Sequence, residues 1–332
     1  MSLRLEIRAE RLALRAPFRI SRGVKTHAEV VVAELSDGAV LGRGECVPYP
    51  RYGETVESVA AELAAAGRRL VGEGIEAALA GLPAGAARNA LDCALWDLAA
   101  RQGAGSVAGR LGRAAPASLP TAVTVSLDTP AAMREAAAAV ADAPLLKVKL
   151  DDENPAACLQ AVADGAPGAR LIVDPNEGWT LAILQAMAEP IARLNVAMVE
   201  QPLPSEADAA LAGLAYPAPL CADESAHTAE DVERIADRYQ MVNVKLDKAG
   251  GLSGALAMVD RAHALGLGVL AGCMVCSSLS IAPAMWVGAL ADACDLDGPW
   301  WLREDRAGGA RVERGVLYPP QSGFWGEPGL RP

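Results

Sequence analysis

The sequence has few basic residues for its length, and this deficit disfavours several classes of partner. Among 332 residues, 41 Asp and Glu stand against 30 Lys and Arg, which gives a formal net charge of −11. A surface of that sign repels phosphate backbones and anionic lipid headgroups. We therefore expect neither nucleic acid nor membrane among its partners.

Two further absences bear on where the protein works. The N-terminus, Met1–Glu6, lacks the apolar core of a secretory signal peptide. Seven cysteines form an odd set without the spacing of a small disulfide scaffold, which is typical of a reducing compartment. The uncharged stretch 264–291 is long enough to span a bilayer, but its glycines, serines and Pro283 favour a buried strand followed by a core-facing helix. The sequence thus predicts a globular cytoplasmic protein.

The first third of the chain is patterned as a separate domain. Strand-like segments precede amphipathic helical segments, which indicates an α+β domain over residues 1–112. The strand-like segments are 6–14 and 29–35, and the helical ones are 55–70 and 86–102. The C-terminal segment, about 305–332, is rich in Gly, Pro and Arg and is expected to pack back on this domain.

From about residue 121, short apolar runs alternate regularly with helical stretches, and one of these stretches, 181–194, is predicted to be a single helix. The runs are 121–127, 145–150, 170–174, 196–201, 220–224, 241–246, 268–274 and 293–296. Nearly continuous apolar runs are typical of parallel strands buried on both faces, and eight of them with interposed helices predict a barrel of the (β/α)8 type. We place this barrel at residues 113–304. Its apolar helices would also support a homo-oligomer.

Charged side chains end several of these strands. Lys147 and Lys149 stand two apart and so share one face of the second strand. The third, fourth and fifth strands end in Asp174, Glu200 and Asp223. Strand ends converge on the active-site face of a barrel, and three converging carboxylates would repel each other unless a cation neutralised them. Their oxygen donors favour one divalent Mg²⁺ per site.

The sixth strand ends in Lys245, across the barrel from Lys149. A nearby metal or a second cation lowers the pKa of an amine toward the working range of a base. A metal-bound carboxylate is neutralised, so the adjacent carbon can lose its proton to form an enolate. A lysine on each face would remove the proton from one side and return it from the other, which inverts the centre.

These residues resemble the enolase superfamily. Lys-x-Lys, then Asp, Glu and Asp on three strand ends, then Asn-x-Lys, is similar to its muconate-lactonising-enzyme subgroup, and the resemblance covers nearly the whole chain. It implies an α/β fold, a (β/α)7β modified TIM barrel with an N-terminal α+β capping domain. It also implies that Lys147 stabilises the enolate. The mandelate-racemase-like subgroup is disfavoured, because it needs a histidine at the end of strand seven; the chain has only His27, His227 and His263.

The eighth strand narrows the implied substrate. Asp295 and Asp297 form an Asp-x-Asp pair similar to that of dipeptide epimerases, where the pair holds the free α-ammonium of the dipeptide. Racemases of N-acylated amino acids and cycloisomerases bind no such ammonium and lack the pair. The resemblance therefore implies an isomerase that inverts the C-terminal residue of a dipeptide.

Three loop segments, 20–25, 48–54 and 272–278, are similar to bacterial L-Ala-D/L-Glu epimerases, which implies a role in recycling murein peptides. In the first, Lys25 or Arg22 would match a glutamyl carboxylate. Lys248 and Thr124 are further candidate substrate-binding residues. One position departs from many dipeptide epimerases: Cys276 stands where they have Glu, two residues after Met274.

Other functions stay open at this point. The same scaffold supports epimerases of other dipeptides, N-acylamino acid racemases and cycloisomerases, and a non-catalytic dipeptide- or metal-binding protein would use similar residues. Cys273-x-x-Cys276 has the spacing of a redox pair or half a zinc site, but no second pair or nearby histidine completes a zinc set.

Overall fold

The computed structural model describes residues 3–328, and its N-terminal part is an antiparallel sheet covered by helices. Three strands pair in chain order: β1 (Arg4–Ile20), β2 (Gly23–Ser36) and β3 (Leu41–Cys46). Four helices follow: α1 (Val56–Gly72), α2 (Ile75–Ala80), α3 (Ala86–Arg101) and α4 (Val107–Leu111). A short 3₁₀ helix, Pro50–Tyr52, precedes α1 and lies in a loop that reaches the barrel.

Strand β2 contributes to two hydrophobic cores because its side chains alternate between faces. Val31, Ala33 and Leu35 pack with apolar side chains of α1 and α3 in the core of this domain. Val30 and Val32 point the other way and join the large core shared with the barrel. The strand therefore links the two parts of the molecule.

Eight parallel strands form the second part. They are β5 (Val123–Val125), β6 (Leu145–Lys149), β7 (Arg170–Asp174), β8 (Val196–Glu200), β9 (Leu220–Ala222), β10 (Met241–Val244), β11 (Gly268–Gly272) and β12 (Ala293–Asp295), and they neighbour one another in chain order. The backbone N–H of Ala122 donates to the carbonyl of Cys294 at 2.8 Å, which joins the first and last strands. The predicted eight-stranded barrel with an N-terminal capping domain is confirmed.

Helices surround the sheet. They are α5 (Pro130–Ala139), α6 (Pro155–Gly165), α7 (Leu181–Ala186), α8 (Ala188–Arg193), α9 (Ala229–Ile235), α10 (Leu246–Ala249), α11 (Leu252–Ala264) and α12 (Ser278–Gly288). The segment 181–194 was expected to be one helix, but it divides at Met187. Pro190 explains the break, because its ring lacks an N–H and clashes with the preceding turn. No helix within residues 3–328 is long and apolar enough to cross a membrane.

The barrel interior is apolar at one end and charged at the other. Strand positions that face inward at the amino ends form a small apolar cluster: Ala122, Ile172, Met198, Cys221, Met241 and Leu270. Two residues further along several of the same strands, the inward positions hold charged or polar side chains, such as Asp174, Glu200 and Asp223. The period of two thus carries the polar set to the carboxyl ends of the strands.

The C-terminal segment contacts both parts. Strands β13 (Arg311–Glu313) and β14 (Val316–Tyr318) form a small sheet with β4 (Leu119–Pro120). Further on, Trp325 Nε1 donates to the carbonyl of Arg43 at 2.9 Å, so this segment lies against the capping domain. Residues 1–2 of the predicted capping domain and residues 329–332 of the predicted C-terminal segment lie outside the described residues.

Candidate active site

A cavity of about 490 Å³ lies at the carboxyl ends of the barrel strands, beneath loops of the capping domain. Its barrel walls include both residues of the Lys-x-Lys pair and Lys245. The turn between β1 and β2 and the 3₁₀ helix supply the opposite wall, with Arg22, Lys25 and Tyr52 among the lining side chains. The capping domain therefore closes the mouth of the barrel.

Two lysines face each other across this cavity. Lys149 ends β6 and Lys245 follows β10, and in an eight-stranded ring in chain order these two strands stand opposite one another. Lys149 Nζ lies 2.5 Å from Asp174 Oδ2, and Lys245 Nζ lies 2.6 Å from Asp223 Oδ2. Each of the two amines is therefore oriented by an ion pair with a different carboxylate.

Lys147 links the remaining carboxylates at the centre of the site. Its Nζ lies 3.1 Å from Asp174 Oδ2, 2.8 Å from Glu200 Oε2 and 2.7 Å from Asp295 Oδ2. Burial acts to lower the pKa of Lys147, but Asp295, Glu200 and Asp174 hold it well above its ordinary value. This lysine therefore stays charged.

The three strand-end carboxylates titrate differently. Burial acts to raise the pKa of Asp174, yet Lys149 and Lys147 hold it well below its usual range. Lys245 and Lys248 do the same for Asp223. Burial, with help from Asp174, raises the pKa of Glu200 to about 7. Glu200 is thus the carboxylate with the least charge compensation.

The pKa of Lys245 differs from the sequence expectation. Although burial acts to lower it, Asp223 raises the pKa of this amine above its ordinary value. The expectation assumed that cations would be the closest charges, whereas a carboxylate at 2.6 Å is closer. A divalent cation that took up the charge of Asp223 would oppose this shift.

The chemistry of the donor set fits a hard divalent cation. All three carboxylates are oxygen donors, the type that Mg²⁺ prefers. Glu200 Oε2 is buried and accepts no hydrogen bond from the described residues, although Lys147 Nζ is close. Within residues 3–328, however, no three Asp, Glu, His or Cys side chains lie close enough together to hold a metal ion. Asp174, Glu200 and Asp223, which end or directly follow three neighbouring strands, are the residues that would hold the cation.

The aspartates of the eighth strand lie on the cavity wall, as does Thr124. Asp295 Oδ1 is buried without a hydrogen-bond partner among the described residues, and its other oxygen accepts from Lys147. Asp297 Oδ2 accepts from the backbone N–H of Thr124 at 2.7 Å. Burial and the neighbouring Asp295 raise the pKa of Asp297 to about 6. This pair offers free acceptor capacity to a cationic group.

The two lid cations have different surroundings. Arg22 donates to Glu224 Oε1 at 2.7 Å, to Glu177 Oε2 at 3.0 Å and to the hydroxyl of Tyr49 at 3.1 Å. Lys25 Nζ lies 4.9 Å from the ring centre of Tyr49, and no carboxylate in the described part of the chain forms an ion pair with it. The arginine is therefore engaged within the protein, whereas the lysine is free for a ligand.

Lys248 does not reach the cavity. Its side chain is fully buried behind Asp223, and its ammonium donates to protein oxygens. The expectation that it binds substrate is therefore corrected. Its place on α10, one turn after Lys245, turns it toward the back of the strand ends.

Three polar groups of the site were given no role from the sequence, and one of them, Asn243, belongs to the Asn-x-Lys motif. Asn243 Nδ2 donates to Glu200 Oε1 at 2.8 Å, and Glu224 Oε2 and the hydroxyl of Tyr52 are buried without partners among the described residues. Asn243 stands two residues before Lys245, so the alternation along a strand could have placed it on the face that bears Lys245. Tyr52 belongs to another domain, and no spacing along the chain predicts its approach.

The part of the chain that the structure describes, residues 3–328, contains no zinc ligand set around the cysteine pair. Cys273 lines the cavity and Cys276 is buried beside it, and all seven cysteines are free thiols. Of the two cysteines, Cys273 forms part of the cavity wall.

Comparisons with known proteins agree with this geometry. Residues 2–112 match the family described as mandelate racemase / muconate lactonizing enzyme, N-terminal domain, and residues 131–330 match the family described as enolase C-terminal domain-like. The chain is 46% identical over 308 residues to the L-Ala-D/L-Glu epimerase of Escherichia coli, covering 92% of this chain and 96% of the relative. It is 42% identical to an N-acetyl-D-glutamate racemase of a Pseudoalteromonas species, covering 90% and 95%.

Solved structures show the same likeness. An enolase family member from Agrobacterium tumefaciens with homology to dipeptide epimerases, described with bound sodium and L-Ala-L-Glu, superposes with a TM-score of 0.94 at 44% identity, covering 98% of this chain and 100% of that one. The dipeptide epimerase of Methylococcus capsulatus, complexed with Mg and L-Arg-D-Lys, gives 0.82 at 30% identity, covering 97% and 98%. The chain therefore belongs to the enolase superfamily, within its mandelate racemase / muconate lactonizing enzyme group.

Proposed function

We propose that this protein is a Mg²⁺-dependent dipeptide epimerase that inverts the C-terminal residue of L-Ala-D/L-Glu. The observation that carries the proposal is the opposition of Lys149 and Lys245 across one cavity, each held by its own carboxylate. A single base would exchange a proton without inverting the centre, whereas two bases on opposite faces can do both. The identity to the Escherichia coli epimerase supports the same reaction.

Each residue of the site has a separate role in the proposed epimerisation. One lysine takes the α-proton of the C-terminal residue at its Nζ, and the opposing lysine returns a proton from the other face. Lys147, which stays charged, donates to the oxygen on which negative charge develops. A cation held by Asp174, Glu200 and Asp223 would bind the terminal carboxylate and make the α-proton more acidic. The capping loops would cover the bound dipeptide, because they line the cavity wall opposite the barrel residues.

Substrate orientation follows from the charges on the two ends of the cavity. Asp295 and Asp297 would accept hydrogen bonds from the α-ammonium of the N-terminal alanine, because they retain acceptor capacity on the wall. Lys25 would meet the side-chain carboxylate of the glutamyl residue, since it is the lid cation without an ion pair among the described residues. This pairing supports preference for Ala-Glu over dipeptides with uncharged side chains.

Proton NMR of L-Ala-L-Glu with the protein and Mg²⁺ in D₂O tests the proposal. We expect loss of the glutamyl α-proton signal together with new resonances of the L-Ala-D-Glu diastereomer. Exchange without the second diastereomer would contradict two-base inversion. Activity confined to hydrophobic or cationic dipeptides would retain the chemistry and refute the assignment of Ala-Glu.

An N-acylglutamate racemase is the second candidate, favoured by the 42% identity to the Pseudoalteromonas enzyme. Asp297→Asn distinguishes the two. In a dipeptide epimerase the substitution removes a charge that faces the substrate ammonium, so kcat/KM for L-Ala-L-Glu should fall at least about tenfold, which corresponds to about 1.4 kcal/mol. An N-acetylglutamate racemase has no ammonium to bind, so its kcat/KM on N-acetylglutamate should be unchanged.

The setting we propose is the cytoplasmic recycling of murein peptides. The chemistry that supports it is the substrate itself, since the reaction would interconvert the L-Ala-D-Glu and L-Ala-L-Glu forms of one cell-wall unit. Comparing dipeptide pools in cells with and without the gene tests the proposal, and we expect L-Ala-D-Glu to accumulate when the gene is deleted.

A further inference from the structure

Lys248 has surroundings that the proposed reaction leaves unexplained. Its ammonium donates to the carbonyl oxygen of Asp223 at 2.5 Å, to Asp223 Oδ1 at 2.7 Å and to the carbonyl oxygen of Asn243 at 2.9 Å. An ammonium has three hydrogens, so these contacts use all of them. The side chain is fully buried, and such a cation is retained only when anions and dipoles compensate its desolvation.

The same carboxylate carries Lys245 on its other oxygen. Lys245 Nζ bonds to Asp223 Oδ2, while Lys248 bonds to Oδ1. The backbone N–H of Asp223 also donates to Gln201 Oε1 at 2.9 Å. A carboxylate anchored at one oxygen by a buried cation cannot rotate without breaking those bonds, so its second oxygen keeps one direction.

The opposite face of the cavity is built on the same plan with a different anchor. Asp174 Oδ2 accepts from Lys149, and Asp174 Oδ1 accepts from the backbone N–H of Asn176 at 2.9 Å. Each proton-transferring lysine therefore bonds to one oxygen of a carboxylate whose other oxygen is anchored. The anchor is a backbone amide on one face and the Lys248 ammonium on the other.

From this geometry we infer that Lys248 is a positioning residue for Lys245. It holds Asp223 Oδ1 so that Asp223 Oδ2 directs the Lys245 ammonium into the cavity. The inference rests on the proposed two-lysine epimerase. Its effect is confined to one face of the substrate, because the carboxylate of Lys149 has a separate anchor.

Lys248→Met tests the inference, since methionine keeps a straight side chain and removes the ammonium. Loss of the α-proton from L-Ala-L-Glu and from L-Ala-D-Glu is followed separately by proton NMR in D₂O at saturating Mg²⁺. Lys245→Ala identifies the isomer whose proton Lys245 removes, because exchange of that isomer stops. We expect Lys248→Met to slow exchange of the same isomer at least tenfold more than exchange of the other.

Asp247→Asn is the matched control. Asp247 lies on the same short helix and is equally buried, but its carboxylate bonds to Val47 and Asn89 rather than to Asp223. We expect this control to keep the wild-type ratio between the two isomers. Lys248→Gln, which keeps a polar donor without the charge, is the second variant if Lys248→Met does not fold, and its expected shift has the same direction.

Calorimetric titration of Mg²⁺ without dipeptide gives a readout independent of turnover. We expect Lys248→Met to bind Mg²⁺ at least threefold more weakly, because Asp223 is then free to rotate. Unchanged Mg²⁺ affinity, or equal slowing of both isomers, would overturn the positioning role. If the wild-type protein exchanged the α-proton of neither isomer, that result would instead refute the proposed function itself.

Discussion

Lys25 and Arg22 lie three residues apart in the lid, and their contacts separate their roles. Arg22 donates hydrogen bonds to Glu224, Glu177 and Tyr49. Lys25 lies over the ring of Tyr49 and forms no ion pair with any carboxylate in the described part of the chain. Burial also lowers the pKa of Lys25 from its ordinary value. A carboxylate ligand would remove that penalty by pairing with the ammonium.

We expect Lys25→Met to raise KM for L-Ala-L-Glu at least about tenfold, or about 1.4 kcal/mol. The physical reason is the loss of the charge that meets the glutamyl carboxylate. Steady-state kinetics with L-Ala-L-Glu and with uncharged L-Ala-L-Met measures the effect, and the second substrate is the internal control. Equal losses on both substrates would show that Lys25 supports the lid rather than the carboxylate, and Lys25→Arg should retain the preference.

Strand β11 passes so close to β10 that its last residue must be glycine. A Cβ on Gly272 would lie 2.3 Å from Asn243 Oδ1 and 2.7 Å from Asn243 Nδ2, inside any real contact distance. The absence of that atom lets the asparagine amide reach Glu200. The missing side chain of Gly272 on β11 thus helps to place Glu200 on β8, three strands away.

Gly272→Ala should therefore destabilise the protein by about 1–3 kcal/mol, the usual cost of overpacking. Urea unfolding measures the free energy of unfolding, and Mg²⁺ titration should show weaker binding as Asn243 moves away from Glu200. Gly168→Ala is the control, because a Cβ there meets no atom within 4 Å. Equal stability of the two variants would contradict the close approach.

The capping domain and the barrel are joined through buried polar contacts beside the catalytic strand ends. Glu45, at the end of β3, accepts from the backbone N–H of Ser277 at 2.7 Å and pairs with Arg306 Nη2 at 2.6 Å. Asp247 Oδ1 on α10 accepts from the backbone N–H of Val47 at 2.9 Å and from Asn89 Nδ2 at 2.8 Å. These contacts hold two barrel loops against the capping domain.

The Asp247 contact should make stability depend on pH. Burial raises the pKa of Asp247 to about 7, from an ordinary value of 3.8. A carboxyl with a raised pKa in the folded state stabilises the fold while it is protonated, so that contribution is present below about pH 4 and is lost as the pH rises through about 7. The free energy of unfolding should fall by about 2–4 kcal/mol across this window.

Asp247→Asn should remove most of that pH dependence, because the amide keeps the oxygen that accepts from Val47 and Asn89 and cannot ionise. Urea unfolding of both proteins between pH 5 and pH 8 measures the difference. As the pH rises, the free energy of unfolding of the variant should increase relative to that of the wild type. Parallel curves for the two proteins would show that Asp247 stays ionised in the fold.

The sequence predicted structure correctly where the local pattern of apolar residues matched the burial of the element in the fold. Every one of the eight predicted runs contains a barrel strand, because strands buried on both faces must be apolar regardless of their neighbours. The prediction of one helix over 181–194 was wrong. The apolar spacing continues through this segment, but Pro190 interrupts the helical hydrogen bonds. The metal role of Asp174, Glu200 and Asp223 and the oligomeric state stay predictions.

The sequence by itself determined the architecture and the strand-end residues, since the spacing of βα units brings successive strand ends to one face of a barrel. Only the tertiary structure decided which charges pair. Lys248 was expected to bind substrate, but the turn at α10 directs it behind Asp223. Tyr52 and Glu45 reach the barrel from a separate domain. Long-range pairing depends on the relative placement of two folded units, which no local period encodes.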